Sequence, residues 1–187
     1  TYLALRVNLL SSLLAALTLL SYLLLYTPLK TRTPLCTLVG AFPGAMPPLI
    51  GWSAARGQLD SGAWVLYAML FLWQFPHFLA IAWMYREDYA RAGIVMLPVA
   101  DSGGPATGRQ IVLCSLALLP VSLLPTWLGM AGNIYFLGAL VLGLGFLGSG
   151  ISVAATRSNV QARRLLQVSI LYLPLVFMLL MLDRQGL

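Results

Sequence analysis

Six apolar stretches, at 8–26, 34–52, 62–84, 111–128, 133–155 and 165–182, follow one another with only short polar segments between them. Each is close to the ~20 residues an α-helix needs to cross the hydrocarbon core of a bilayer. In lipid the backbone has no water to bond to. A chain built this way folds as helices that satisfy their own backbone groups and bury polar side chains against one another. The fold class read here is therefore all-α: a polytopic transmembrane helical bundle of about six spans. Charged residues make up 9% of the chain and hydrophobic ones 60%, far from the ~25% charged content of soluble domains.

Lys and Arg together outnumber Asp and Glu by 11 to 5. The basic residues stand singly or in pairs between apolar stretches and form no patch, so no nucleic-acid partner is expected. They report topology instead. Lys30, Arg32, Arg86, Arg91, Arg109, Arg157, Arg163 and Arg164 fall on one side of the alternating loops, and Arg6, Arg56 and Arg184 on the other. Basic loops stay in the cytoplasm, which assigns the first set there. Cys36 and Cys114 lie in or beside apolar segments, without metal-type spacing, and read as buried hydrophobes. The chain begins at Thr1 and runs almost at once into an apolar segment with no signal-peptide pattern. It is expected to be the carboxy-terminal part of a longer protein.

Two stretches depart from plain membrane helix. The second, 34–52, carries Gly40, Pro43, Gly44, Pro47, Pro48 and Gly51. Irregular backbone at membrane depth survives only against protein or a cavity, so this span is expected to face the bundle interior or to be a kinked packing helix; the two are compatible. The third delivers Trp73-Gln74-Phe75-Pro76-His77 into the densest charge cluster of the chain, where Glu87 and Asp88 sit between Arg86 and Arg91. If helical throughout, Gln74, His77, Ile81, Tyr85 and Asp88 share one face. The loop that follows, 85–109, is long enough to be functional. In the fifth span, Gly138, Gly143, Gly145, Gly148 and Gly150 suit close helix packing.

Adjacent carboxylates at a membrane surface can hold Mg²⁺ shared with a substrate's phosphates. Neighbouring Arg and Lys contact the same phosphates. Glu87, Asp88, Arg86, Arg91 and Lys30 fit such a magnesium–diphosphate site. The other reading makes the arginines orientation signals that neutralise the acids. His77 and Gln74 lie several turns inside the span, where polar groups are costly. They serve either a buried substrate or heme, or a helix-to-helix hydrogen bond freed by Pro76. Tyr26 and Lys30 stand four apart with Pro28 between them and otherwise read as interfacial anchors.

Three runs together carry a family resemblance: Tyr26-Thr27-Pro28-Leu29-Lys30, Val39 to Trp52, and Trp73 through Met96-Leu97-Pro98-Val99. The chain resembles the protoheme IX farnesyltransferases, the heme-modifying branch of the UbiA-type intramembrane prenyltransferases, almost end to end. The resemblance implies nine transmembrane helices around a central cavity. This chain would supply the last six, as one prenyltransferase domain over 1–187. It also implies transfer of a farnesyl group from farnesyl diphosphate to a vinyl group of heme B, with water addition, to give heme O on the way to heme A.

By resemblance, Asp88 and Glu87 bind Mg²⁺. Lys30 and Tyr26, as the family's Tyr-x-x-x-Lys element, act with Arg86 and Arg91 at the diphosphate. His77 and Gln74 face the heme. The family's other acidic motif is absent from these residues, and Glu87 and Val95 replace a common aspartate and proline; the 187 residues alone are expected to be inactive. A multi-pass place in the bacterial inner membrane follows, with a heme A synthase as candidate partner. The competing readings are a prenyltransferase with a different acceptor, a transporter, whose broken helices look similar, and a non-catalytic heme-binding subunit.

Overall fold

A computed structural model describes residues 2–101 and 103–185. The chain is helical throughout. The one extended pairing among the described residues is a single antiparallel bridge between Ala131 and Arg184. A short α1 (Tyr2–Arg6) leads into α2 (Leu9–Ser21), which continues through a π-helical turn, Tyr22–Tyr26, into α3 (Thr27–Leu29). The wide turn has a local cause. Pro28 has no N–H for the helical bond to the Leu24 carbonyl. The chain closes one residue wider instead, with the Thr27 N–H and hydroxyl both donating to the Tyr22 carbonyl.

Five of the six expected spans are single helices long and apolar enough to cross a membrane: Leu9–Leu29, Ser61–Met84, Pro105–Trp127, Asn133–Thr156 and Asn159–Leu182. The remaining one is two short helices, α4 (Cys36–Gly44) and α5 (Pro47–Arg56). The adjacent Pro47 and Pro48 remove two successive donors, so the helix stops at Gly44 and restarts at Pro47, where proline is tolerated. Gly57, in the left-handed region at φ 72°, ends α5.

The third span is α6 (Ser61–Met84). Asp60 starts it by accepting from the Gly62 and Ala63 N–H groups at 2.9 and 3.4 Å. Segment 85–104, expected as a loop, folds into α7 (Arg86–Arg91) and α8 (Leu97–Ala100). The last three helices are α9 (Pro105–Trp127), α10 (Asn133–Thr156) and α11 (Asn159–Leu182). Both α9 and α11 begin six residues before their apolar stretches, so Arg109, Arg163 and Arg164 are helical rather than in loops. Hydropathy sees only the part of a helix inside the hydrocarbon, and the polar first turns project beyond it. Ser158 caps α11 by accepting from the Gln161 N–H, and carboxylates cap α9 and α10. Asp101 accepts from the Thr107 N–H and hydroxyl, and Asp183, at the end of α11, accepts from the Tyr135 N–H in the first turn of α10.

The helices alternate in direction, which fixes two ends. At one, Arg86 donates to Asn159, the Val95 N–H donates to the Lys30 carbonyl, and Gly104 packs on Trp83. At the other, Trp52 bonds Asp60 and the 130–132 backbone pairs with 183–185. The first end collects the eight basic residues expected to share a side.

Helices α6, α9, α10 and α11 form a bundle around Met69, Leu79, Ile111, Leu118, Tyr135, Phe146 and Tyr172. Glycines set its closest approach, because a Cβ on Gly108 would stand 2.9 Å from the Ala154 Cα. Gly138, Gly143 and Gly150 also face neighbouring helices, whereas Gly145 and Gly148 meet nothing. Helices α2, α4 and α5 make a second layer that touches the bundle through α6. Leu13, Leu17, Leu20 and Leu24 line the outer side of that layer and are exposed, as lipid contact requires.

Candidate functional site

Between the second layer and α6 lies a cavity of about 720 Å³, within the ~300–1,000 Å³ typical of small-molecule sites. Lys30 and Tyr26 stand at the basic end of the molecule, together with Tyr89 of α7 and Ile94 and Met96 of the following loop. Deeper walls come from Tyr22 and Leu19 of the α2 segment, Ile50 of α5, and Leu70, Trp73 and Phe78 of α6. Most of this surface is apolar. Among the described residues the Lys30 ammonium has no ion-pair or hydrogen-bond partner.

Each element delivers its side chain for a local reason. The π-helical turn brings the Tyr22 and Tyr26 rings to 4.9 Å of each other. The Tyr26 ring packs against Gly40, where any Cβ would stand 2.7 Å from its Cδ2. A 2.8 Å bond from the Val95 N–H to the Lys30 carbonyl draws the α7–α8 loop over the mouth. The Cys36 thiol donates to the Val95 carbonyl at 3.6 Å. Gln74, buried inside α6, donates to the Ala41 carbonyl at 2.8 Å, and its carboxamide oxygen lies against Gly44. It thus braces the break between α4 and α5 while lining the cavity.

The expected single stripe does not form. Helix α6 ends at Met84, and Tyr85, at φ −109° and ψ 23°, turns the chain before α7. Within α6, the three-residue step from Gln74 to His77 rotates by only about 300°, so the two diverge by some 60°. Gln74 faces the cavity. His77 faces α11, with Nδ1 2.8 Å from the Ser169 hydroxyl. That hydroxyl donates to the Leu166 carbonyl at 2.6 Å, so His77 Nδ1–H is the donor and Nε2 carries the free lone pair. Trp73 joins the two sides. Its ring lines the cavity and stacks on His77 at 4.6 Å, while its N–H donates to the Ser169 carbonyl at 2.9 Å.

The charge cluster also divides. Arg86 lies over the Trp83 ring at 5.0 Å and donates to the Trp83 carbonyl and to Asn159 Oδ1. With Glu87 and Asp101 it borders a separate depression of about 250 Å³. Asp88 is ion-paired with Arg91 on the exposed side of α7. Among the described residues no three His, Cys, Asp or Glu side chains converge as a metal cluster. Glu87 and Asp88 nevertheless supply hard carboxylate oxygens, and Mg²⁺ is commonly held by one or two carboxylates together with substrate phosphates. The donor chemistry fits that metal.

Of the sequence-derived candidates, the structure thus gathers Tyr26, Lys30 and Gln74 around the cavity. It leaves Arg86 and Glu87 at the separate depression, Asp88 and Arg91 paired on the exposed side of α7, and His77 behind Trp73. Tyr22, Tyr89, Ile94 and Met96 were missed. Tyr22 was within reach, since it stands four residues before Tyr26 and eight before Lys30.

A helical bundle with a mainly apolar cavity and the Lys30 ammonium at its mouth offers apolar surface and a cation in one space. The chain belongs to the UbiA prenyltransferase family, whose model matches residues 1–180. It is similar to three bacterial proteins named protoheme IX farnesyltransferase. It is 61% identical to that of Solibacter usitatus over 98% of this chain and 63% of the relative. With that of Koribacter versatilis it shares 51% over 98% and 61%, and with that of Myxococcus xanthus 46% over 97% and 62%. The chain therefore spans less than two thirds of the length of these relatives. No solved structure matches it significantly.

Proposed function

We propose that this chain forms the diphosphate-and-tail cavity of a protoheme IX farnesyltransferase. The enzyme transfers a farnesyl group from farnesyl diphosphate to a vinyl group of heme B and gives heme O and diphosphate, a step toward heme A. The observation that carries the reading is the cavity itself, which joins the unpaired Lys30 ammonium and the phenols of Tyr26 and Tyr89 to a long apolar wall. The names of the relatives supply protoheme IX and the farnesyl group, and the diphosphate is the leaving group proposed for the Lys30 end.

In this reading the allylic C–O bond breaks heterolytically, and its electron pair leaves with the diphosphate. Lys30 neutralises the growing negative charge as a point cation, and Tyr26 and Tyr89 donate hydrogen bonds to it. Glu87 and Asp88 would hold Mg²⁺, which supplies further neutralisation of the diphosphate when bound. Arg86 and Arg91 would be the further cations for the diphosphate once Arg91 leaves Asp88 and Arg86 turns from its own depression toward the Lys30 cavity. The apolar walls exclude water from the carbocation until the vinyl π-electrons form the new C–C bond. Water then adds to the resulting cation and loses one proton to give the hydroxyl. The heme-facing role of Gln74 and His77 rests on the family resemblance alone, since Gln74 lines the tail cavity and His77 reaches it only through Trp73.

The basic end faces the cytoplasm of the bacterial inner membrane, in keeping with its eight basic residues. A heme A synthase, which consumes heme O, is the proposed partner.

The test is an extracted-heme chromatogram of membranes expressing the full gene product with heme B, farnesyl diphosphate and Mg²⁺. A new farnesylated heme is expected, and it should be lost in Asp88→Asn and on chelation of Mg²⁺. Heme B alone, from folded protein, would defeat the reading.

A further inference from the structure

The lining of the Lys30 cavity ends at Ala15 and Ile50, and just beyond them α2 and α5 meet through polar groups. Lining residues on the α2 segment recur about once per turn, at Lys30, Tyr26, Tyr22, Thr18 and Ala15. One turn below Ala15 the pattern stops, because Ser11 is fully buried. Its hydroxyl lies 2.8 Å from the Ser53 hydroxyl and 2.8 Å from Asn8 Oδ1, while Asn8 Nδ2 donates to the Ser53 carbonyl at 2.7 Å. This clasp locks α2 to α5. On α5, Ile50 stands one turn above Ser53, whose hydroxyl donates to the Ile50 carbonyl at 3.0 Å. Ala15 and Ile50 are therefore the side chains directly above the clasp.

The depth has a chemical meaning. Fifteen residues separate Lys30 from Ala15, which at ~1.5 Å per residue is about 22 Å along the helix. An extended chain of three isoprenoid units has eleven C–C bonds of ~1.5 Å and projects to roughly 14 Å. A diphosphate and the reach of a lysine side chain take up the remainder. A fourth unit adds roughly 5 Å on the same bond lengths and runs into the clasp.

We propose that Ala15 and Ile50, backed by the Asn8–Ser11–Ser53 clasp, fix the longest prenyl tail the cavity accepts at three isoprenoid units. The inference rests on the preceding reading only in taking the ligand as a prenyl diphosphate, and its test reads binding rather than transfer. The clasp is a rigid stop because its groups bond one another across two helices, and moving either helix would leave buried polar atoms unpaired.

The experiment uses the full-length protein in detergent and unreactive saturated diphosphates with C10, C15 and C20 prenyl tails. Affinity is read from quenching of tryptophan fluorescence, Trp73 being part of the wall. The native protein is expected to bind C15 at least tenfold tighter than C10, and C20 no tighter than C15. Ala15→Phe should bring C15 down to the C10 affinity while leaving C10 unchanged. Ile50→Ala should tighten C20 at least fivefold, a gain that misfolding cannot produce. Affinity climbing steadily through C20 in the native protein would overturn the proposal, as would an equal loss for all three tails in Ala15→Phe. Length-selective binding without farnesyl transfer to heme would sink the transferase reading and leave the stop standing. Transfer with no length selectivity would sink the stop alone, and no binding at any length would sink both.

Discussion

Replacing Gly40 by alanine adds one methyl group, and the structure says where it goes. The new Cβ would stand 2.7 Å from Cδ2 and 2.8 Å from Cε2 of the Tyr26 ring. Carbon atoms pack at ~3.5–4.0 Å, so the ring must retreat by about 1 Å. These atoms belong to a ring that also packs on Tyr22 at 4.9 Å between centroids, so moving it disturbs a second contact. Tyr26 is one of two phenols proposed to receive the leaving diphosphate, and a 1 Å misplacement of such a group costs up to ~10²-fold in rate. Gly40→Ala is expected to lower kcat/KM for farnesyl diphosphate by ~10- to 100-fold, or about 1.4 to 2.7 kcal/mol. The assay is heme O formation in purified, Mg²⁺-supplemented membranes, compared with Gly51→Ala. Gly51 lies in the neighbouring helix, and a Cβ there meets nothing within 4 Å, so that variant should keep native kinetics. Unchanged kinetics in Gly40→Ala, or equal losses in both variants, would refute the steric argument.

Lys30→Met keeps the stem and removes the charge. A charge-assisted bond is worth ~1.5–3 kcal/mol, so diphosphate affinity should fall by one to two powers of ten while a tail-matched neutral alcohol binds as before; equal loss for both ligands would show that the residue acts on packing. Gln74→Leu removes the brace between α6 and α4, but the Ala41 carbonyl keeps the Ala45 N–H at 3.1 Å. The expected cost is therefore only ~0.5–1.5 kcal/mol, read as a shift of a few degrees in the melting of the detergent-solubilised protein. A collapse of the fold would mean that the break depends on this one bond.

Much of the fold was legible because the bilayer makes spanning elements obvious. Five spans appear as single helices, and the loops sort by charge onto the two ends that the helix directions define. The second span was legible as irregular but not as two helices. The Gly and Pro residues from Gly40 to Gly51 announce a disturbance, and only the packing of Gln74 against Gly44 shows where it is braced. The family resemblance was borne out by the match over residues 1–180. Periodicity misled in one place. Spacing of three and four put Gln74 and His77 on a common face, yet 60° of rotation is enough to send one to the cavity and the other to Ser169 of α11.

The sequence by itself determined that the chain is a membrane helical bundle, which loops carry its basic residues, and where its acidic pair stands. Those properties are local, since each follows from the length, composition and spacing of a single segment. Tertiary structure alone decided which of these residues share a space. Tyr22, Tyr26 and Lys30 meet Tyr89 and Met96 only because α7 and its loop fold back onto the Lys30 carbonyl. His77 leaves the group only because Ser169, ninety-two residues along the chain, offers its hydroxyl. The Ser11–Ser53 stop likewise exists in neither helix alone. Contacts between distant segments depend on how helices rotate about their axes in the packed bundle, and no single segment encodes that angle.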